Sequence, residues 1–124
     1  MLKQKALIDV LGQVNTGGVD GSWLFNKEGL LLAYVGSEQK TVASNVSSAL
    51  LASVWAALER RGSGELRETM LVLEDGVIAC TIVARTMLLA IKANKKAELG
   101  MIRAKLNSLS AYLEQPILSI SHEL

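Results

Sequence analysis

Residues 67–83 read Arg67-Glu68-Thr69-Met70-Leu71-Val72-Leu73-Glu74-Asp75-Gly76-Val77-Ile78-Ala79-Cys80-Thr81-Ile82-Val83. Two apolar, β-rich runs flank Glu74-Asp75-Gly76, and an Asp-Gly pair between such runs marks a hairpin because glycine accepts the positive φ of a tight turn. Downstream, Thr86 to Ala93 is a third apolar run, set off by Ala84-Arg85. Three strands, 67–73, 76–83 and 86–93, are expected to pair in succession.

Working outward, Ala97 to Glu114 carries Leu99, Met101, Ile102, Leu106, Leu109 and Leu113 at helical spacing. Pro116, which has no backbone donor, is expected to end that helix. Upstream, Gly62-Ser63-Gly64 closes a long helix that begins near Ser37, a fair N-cap with Glu38 beside it to complement the helix dipole. Before it, Ser22–Phe25 and Leu30–Val35 form a hairpin around Asn26-Lys27-Glu28-Gly29. Leu2, Ala6, Leu7, Val10, Leu11 and Val14 make an opening helix, stopped by Asn15-Thr16-Gly17-Gly18. The order α-β-β-α-β-β-β-α over residues 1–124 predicts one α+β domain, a profilin-like sandwich with a five-stranded antiparallel sheet.

The long helix carries the sharpest functional inference. Leu50, Leu51, Val54 and Leu58 fall together on a helical wheel and are expected to face the chain's own sheet. The opposite side gathers Val42, Asn45, Val46, Ala49, Ala52, Ser53, Ala56 and Ala57, small and uncharged until Arg60. A solvated helix face normally carries Lys and Glu there, whereas small side chains let a second helix approach closely. This side is therefore expected to bind a partner helix, and Ala52→Glu or Ala56→Glu to abolish pairing; the alternative is cover by the chain's own terminal helices. Thr69, Met70, Leu71 and Val72 stand in a strand that either forms a sheet edge open to a partner strand or lies inside the sheet.

Composition agrees with an interaction protein. Apolar residues make up 50 % of the chain and charged ones 20 %, which leaves little polar surface to coat a free monomer. The formal charge is +1 with both signs interspersed, so neither nucleic acid nor an anionic bilayer is expected as a ligand. Arg85 divides the apolar block from Val77 to Ile91, and Asp9 and Gly12 interrupt the start before it reaches signal-peptide length. A soluble intracellular protein without membrane insertion is expected, and the lone Cys80 suits a reducing compartment.

Catalytic chemistry finds little footing. His122 is the one histidine and stands near the end of the chain, so no histidine-based triad or soft-ligand zinc site is expected, and no cofactor. Gly36-Ser37-Glu38-Gln39-Lys40-Thr41 follows a strand, opens a helix and ends in Lys-Thr, yet lacks the second glycine of a phosphate loop. Asn15-Thr16-Gly17-Gly18-Val19-Asp20-Gly21 is either an anion cradle or a tight turn. Trp23 and Trp55 are either interface anchors or core, and Cys80 has no cationic neighbour in sequence to activate it.

Five blocks together resemble a known family. Asn15-Thr16-Gly17-Gly18-Val19, Asn26-Lys27-Glu28-Gly29-Leu30-Leu31-Leu32-Ala33-Tyr34, Ala52-Ser53-Val54-Trp55-Ala56-Ala57, Gly100-Met101-Ile102-Arg103-Ala104-Lys105 and Tyr112-Leu113-Glu114-Gln115-Pro116 look like the roadblock/LC7 subunits of Ragulator-type complexes, in particular the one that pairs with a MEK-binding roadblock subunit. The chain departs from that pattern in a longer Val35–Ser44 and a shorter Gly62–Arg67. The resemblance implies a non-catalytic heterodimer with antiparallel long helices and sheets joined through the third strands. It also implies a place at the cytosolic face of late endosomes and lysosomes, where a lipidated wrapping subunit and other Ragulator subunits hold the pair, Rag GTPases for signalling to the mTOR kinase complex, and MEK and ERK. Residue 2 is Leu rather than the Gly of myristoylation, so localisation is expected to come from partners.

Two other readings stay open. A roadblock-type dynein light chain or small-GTPase regulator would share the fold and act as a homodimer. A ligand-sensing profilin-like domain would need a hollow between sheet and helix with inward polar groups.

Overall fold

A computed structural model describes residues 4–36, 41–62 and 64–123. Helix α1 (Gln4–Gly12) leads into strands β1 (Val19–Asn26) and β2 (Leu31–Gly36), then α2 (Thr41–Arg61), strands β3 (Glu68–Leu73), β4 (Gly76–Val83) and β5 (Met87–Asn94), and α3 (Leu99–Glu123). The expected order and strand count are met. The expected Ser37 cap lies outside the described residues.

The sheet is antiparallel in the order β2-β1-β5-β4-β3. The hairpin read from Glu74-Asp75-Gly76 forms, with Leu73 paired to Gly76 and Glu68 to Thr81. The β4–β5 turn puts Ala84 (φ 53°) and Arg85 (φ 65°) in the left-handed region, and Thr86 N–H donates to the Val83 carbonyl at 3.3 Å. Those are the features of a type I′ turn, whose twist suits a hairpin even where the residues are not glycine.

Strand alternation divides the core in two. One face sets Leu24, Ala79, Val83, Leu89 and Ile91 against Leu7 and Leu11 of α1 and Ile102, Leu106, Leu109 and Leu113 of α3. The other sets Trp23, Phe25, Cys80, Leu88 and Ala90 against Leu51, Ala52 and Trp55 of α2.

Pro116 does not end its helix, contrary to expectation: α3 continues to Glu123. The proline has no N–H for the Tyr112 carbonyl, but one missing bond is a local loss, and continuing the helix buries Ile117 to 3 % exposure in the first core. The first strand begins at Val19 rather than Ser22, because Val19 pairs with Ala93 across an irregularity between Val19 and Gly21.

Candidate functional site

The β1–β2 turn seats α2. Asn26 Oδ1 accepts from the N–H groups of Glu28 (3.1 Å) and Leu30 (2.9 Å), which holds the turn in shape. At its tip Gly29 takes φ +93°, and a Cβ there would lie 2.8 Å from the Cα of Ala49. Ser48 Oγ, fully buried, donates to the Gly29 carbonyl at 2.9 Å. Near the other end of the helix Lys27 bridges Glu59 at 3.4 Å, a solvated pair that contributes little energy.

This seating turns α2 from the orientation expected by bulk. Of Leu50, Leu51, Val54 and Leu58, only Leu51 is buried; Leu50 is 63 % exposed, Val54 38 % and Leu58 42 %. The inward side is Ser48, Leu51, Ala52 and Trp55. Trp55 fills most of the space over the sheet together with Leu51, and the small residues Ser48 and Ala52 beside them let the helix come down onto the hairpin. The helix is rotated from the expected orientation by roughly one residue's advance, about 100°.

The residues read as a partner-binding face separate accordingly. Ala49, Ser53, Ala57 and Arg60 are exposed and Ala56 half-buried. Ala52 is corrected: it is 4 % exposed and packs into the chain's own core, so it is not available to a partner. Val42, Asn45 and Val46 stand in α2, but their side chains lie outside the described residues.

Beside α2 the sheet is left uncovered by the described residues. An open, mainly apolar groove of about 400 Å³ runs between Ser47, Leu50, Leu51 and Val54 on the helix and Gly21, Trp23, Tyr34, Leu71, Ile78 and Lys92 on the sheet, with Asp20 at its margin. Its floor follows one line of cross-strand partners through Gly21, Lys92, Ile78 and Leu71, a line that Gly36 continues onto β2 beyond the groove. The next line holds Tyr34 and Trp23, whose rings meet at 5.1 Å. The two glycines make room, since a Cβ on Gly21 would lie 3.4 Å from the Trp23 ring and one on Gly36 would collide with the Tyr34 hydroxyl. Trp23 and Trp55 both pack in the second core, and their buried indole N–H groups find no acceptor among the described residues.

Strand β3 lies at an edge of this sheet. Leu71 lines the groove and pairs with Ile78; Thr69 pairs with Cys80 on the same side. Met70 packs against the first core, and Val72 is 74 % exposed.

Sequence reasoning missed the groove residues Gly21, Tyr34, Ile78 and Lys92. One signal was present: Lys92 stands in phase with Leu88 and Ala90, and a charge in step with buried neighbours marks where a sheet face opens.

The other sequence features find local explanations. In the glycine-rich loop, Asn15 Nδ2 donates to the Val35 carbonyl at 3.0 Å, and Lys105 Nζ donates to the carbonyl and hydroxyl oxygens of Thr16 at 2.6 and 2.9 Å. The loop is thus tied to its own fold as a turn. Of the segment resembling a phosphate loop, Gly36 closes β2 and Thr41 opens α2, while 37–40 lie outside the described residues. The His122 side chain lies outside them too. Burial pushes the Cys80 thiol up to about 12, which keeps it protonated and unreactive. Among the described residues no cluster of three His, Cys, Asp or Glu could hold a metal ion, and no helix is long and apolar enough to cross a membrane.

Helix-on-half-a-sheet with an open edge strand is an architecture with known relatives. The Roadblock/LC7 domain matches residues 5–93. The chain belongs to the Roadblock/LC7 family. This roadblock chain is 82 % identical over 124 residues to the Ragulator complex protein LAMTOR2 homolog of Caenorhabditis elegans, covering 100 % of this chain and 99 % of that one. Among solved structures, Myxococcus xanthus MglB superposes with a TM-score of 0.81 at 20 % identity, covering 91 % of this chain and 95 % of that one. Schizosaccharomyces pombe profilin superposes at 0.64 with 17 % identity, covering 90 % and 96 %. Likeness at those identities concerns the fold, and it bears out the roadblock and profilin-like reading.

Proposed function

We propose that this chain is a non-catalytic adaptor subunit of a Ragulator-type complex and that it works by pairing with a second roadblock subunit. The observation that carries the reading is the 82 % identity, end to end, with the nematode Ragulator subunit homolog. The groove supports the pairing. A partner helix laid beside α2 would cover Leu50, Val54 and the groove floor at once, extending the helix layer across the sheet. The other residues expected at the interface, Ala49, Ser53, Ala56 and Arg60 with Val42, Asn45 and Val46, fall on the opposite side of α2 from Leu50 and Val54 at about 100° per residue, so a helix in the groove would leave them uncovered. Thr69, Met70, Leu71 and Val72 would offer the β3 edge to a partner strand.

The partner is a MEK-binding type of roadblock subunit, and the pair is held on the cytosolic face of late endosomes and lysosomes by a lipidated wrapping subunit with other Ragulator subunits. There it supports Rag GTPases and the mTOR kinase complex in amino-acid signalling, and MEK and ERK. Such an adaptor contributes geometry and effective concentration, with no covalent step of its own. The test is size-exclusion chromatography with light scattering on the chain alone and co-expressed with the MEK-binding roadblock subunit. A stable one-to-one complex is expected. A homodimer indifferent to that subunit would overturn the reading in favour of a homodimeric light chain or GTPase regulator.

A further inference from the structure

Lys92 is out of place on the floor of an apolar groove. Its side chain keeps 31 % of its surface exposed and lies between Gly21 and Ile78 in the floor line. Neither Gly21 nor Gly36 has a side chain to screen that end from above. Among the described residues Lys92 has one ion partner, Asp75 at 3.8 Å, and that carboxylate is itself 74 % exposed and loosely held. Asp20 borders the groove without reaching ion-pair distance. A helix laid over the floor would strip water from the ammonium, and a charge so covered is strongly unfavourable unless the incoming surface brings its own counter-charge.

We infer that Lys92 selects the partner: the groove takes an amphipathic helix carrying a carboxylate on its apolar face, above the Gly21–Lys92–Ile78 line. This assignment rests on the pairing proposed above and adds the chemistry of the partner. It also disfavours a second copy of this chain. Between Thr41 and Arg61 the only acid is Glu59, already bridged to Lys27 at 3.4 Å on the hairpin side of α2. A second copy would bring to Lys92 only apolar and small polar residues of α2, with two arginines in its last turn.

The sign of one substitution decides the matter. Lys92→Met keeps the unbranched apolar stem of the side chain and removes the terminal ammonium with its charge. If the groove only needed apolar contact, Met would bind the MEK-binding roadblock subunit as well as wild type or more tightly. If a partner carboxylate is paired there, Met leaves that carboxylate uncompensated, and affinity by calorimetry should fall about tenfold or more, while Lys92→Arg should stay near wild type. Lys92→Glu should abolish the complex, and one Glu→Lys or Asp→Lys change on the partner's long helix should restore it. Equal or tighter binding by Lys92→Met overturns the assignment and leaves the pairing standing. A wild-type chain that forms no complex with that subunit overturns both.

Discussion

Leu50 and Ala52 stand two residues apart on α2, and their substitutions should fail in opposite ways. Ala52 is 4 % exposed within the core around Trp55. Ala52→Glu adds volume to a packed site and buries a carboxylate among apolar groups, which should cost the lone chain about 3 kcal/mol or more. That is a large part of the roughly 5–15 kcal/mol that holds a domain together. Leu50 is 63 % exposed on the wall of the groove, so Leu50→Gln, between two good helix formers, should cost the lone chain no more than about 1 kcal/mol. Pairing would bury the rest of that leucine. Losing that burial, and leaving an amide desolvated in its place, should cost about 2–4 kcal/mol, some thirty- to a thousandfold in Kd. Urea unfolding of the lone chain and calorimetric titration with the roadblock partner measure the two effects separately. If Ala52→Glu unfolds at the wild-type urea midpoint, or Leu50→Gln binds with unchanged Kd, the placement of α2 argued above is wrong.

Three further outcomes follow from the fold. Gly29→Val would strain a φ of +93° and drive a side chain into the backbone at Ala49, so the thermal midpoint should fall by the equivalent of about 2 kcal/mol or more, with partner binding weakened as α2 shifts. Replacing Ala84 and Arg85 by the type I′ pair, Ala84→Asn with Arg85→Gly, should raise the midpoint by the equivalent of about 1 kcal/mol, since both residues hold positive φ at a steric cost. Cys80, raised from 9.0 to about 12 by desolvation, keeps its proton in the folded chain while the unfolded chain ionises near pH 9. Its contribution is intact below pH 9 and should be lost between about pH 9 and 12, which Cys80→Ala should abolish; native Cys80 should resist a thiol reagent at pH 8 until the chain unfolds.

How much was legible depended on which forces act locally. The Asp75-Gly76 turn, the alternation of β4 and β5 and the three-and-four spacing of α3 are statements about neighbours in the chain, and each formed as read. Pro116 misled because its missing donor is a local signal, while the burial of Ile117 that carries the helix past it is tertiary. The rotation of α2 misled for the same reason. By itself the sequence determined the element order, the roadblock family and the absence of any familiar catalytic motif, because periodicity and motif are encoded over a few residues at a time. Only the tertiary structure decided that Trp55, rather than Leu50 and Leu58, faces the sheet beside Leu51, and that Gly21, Lys92, Ile78 and Leu71 line one groove. That depends on how closely the Gly29 turn lets the helix approach, and on strand register, which joins residues up to 71 positions apart in the chain.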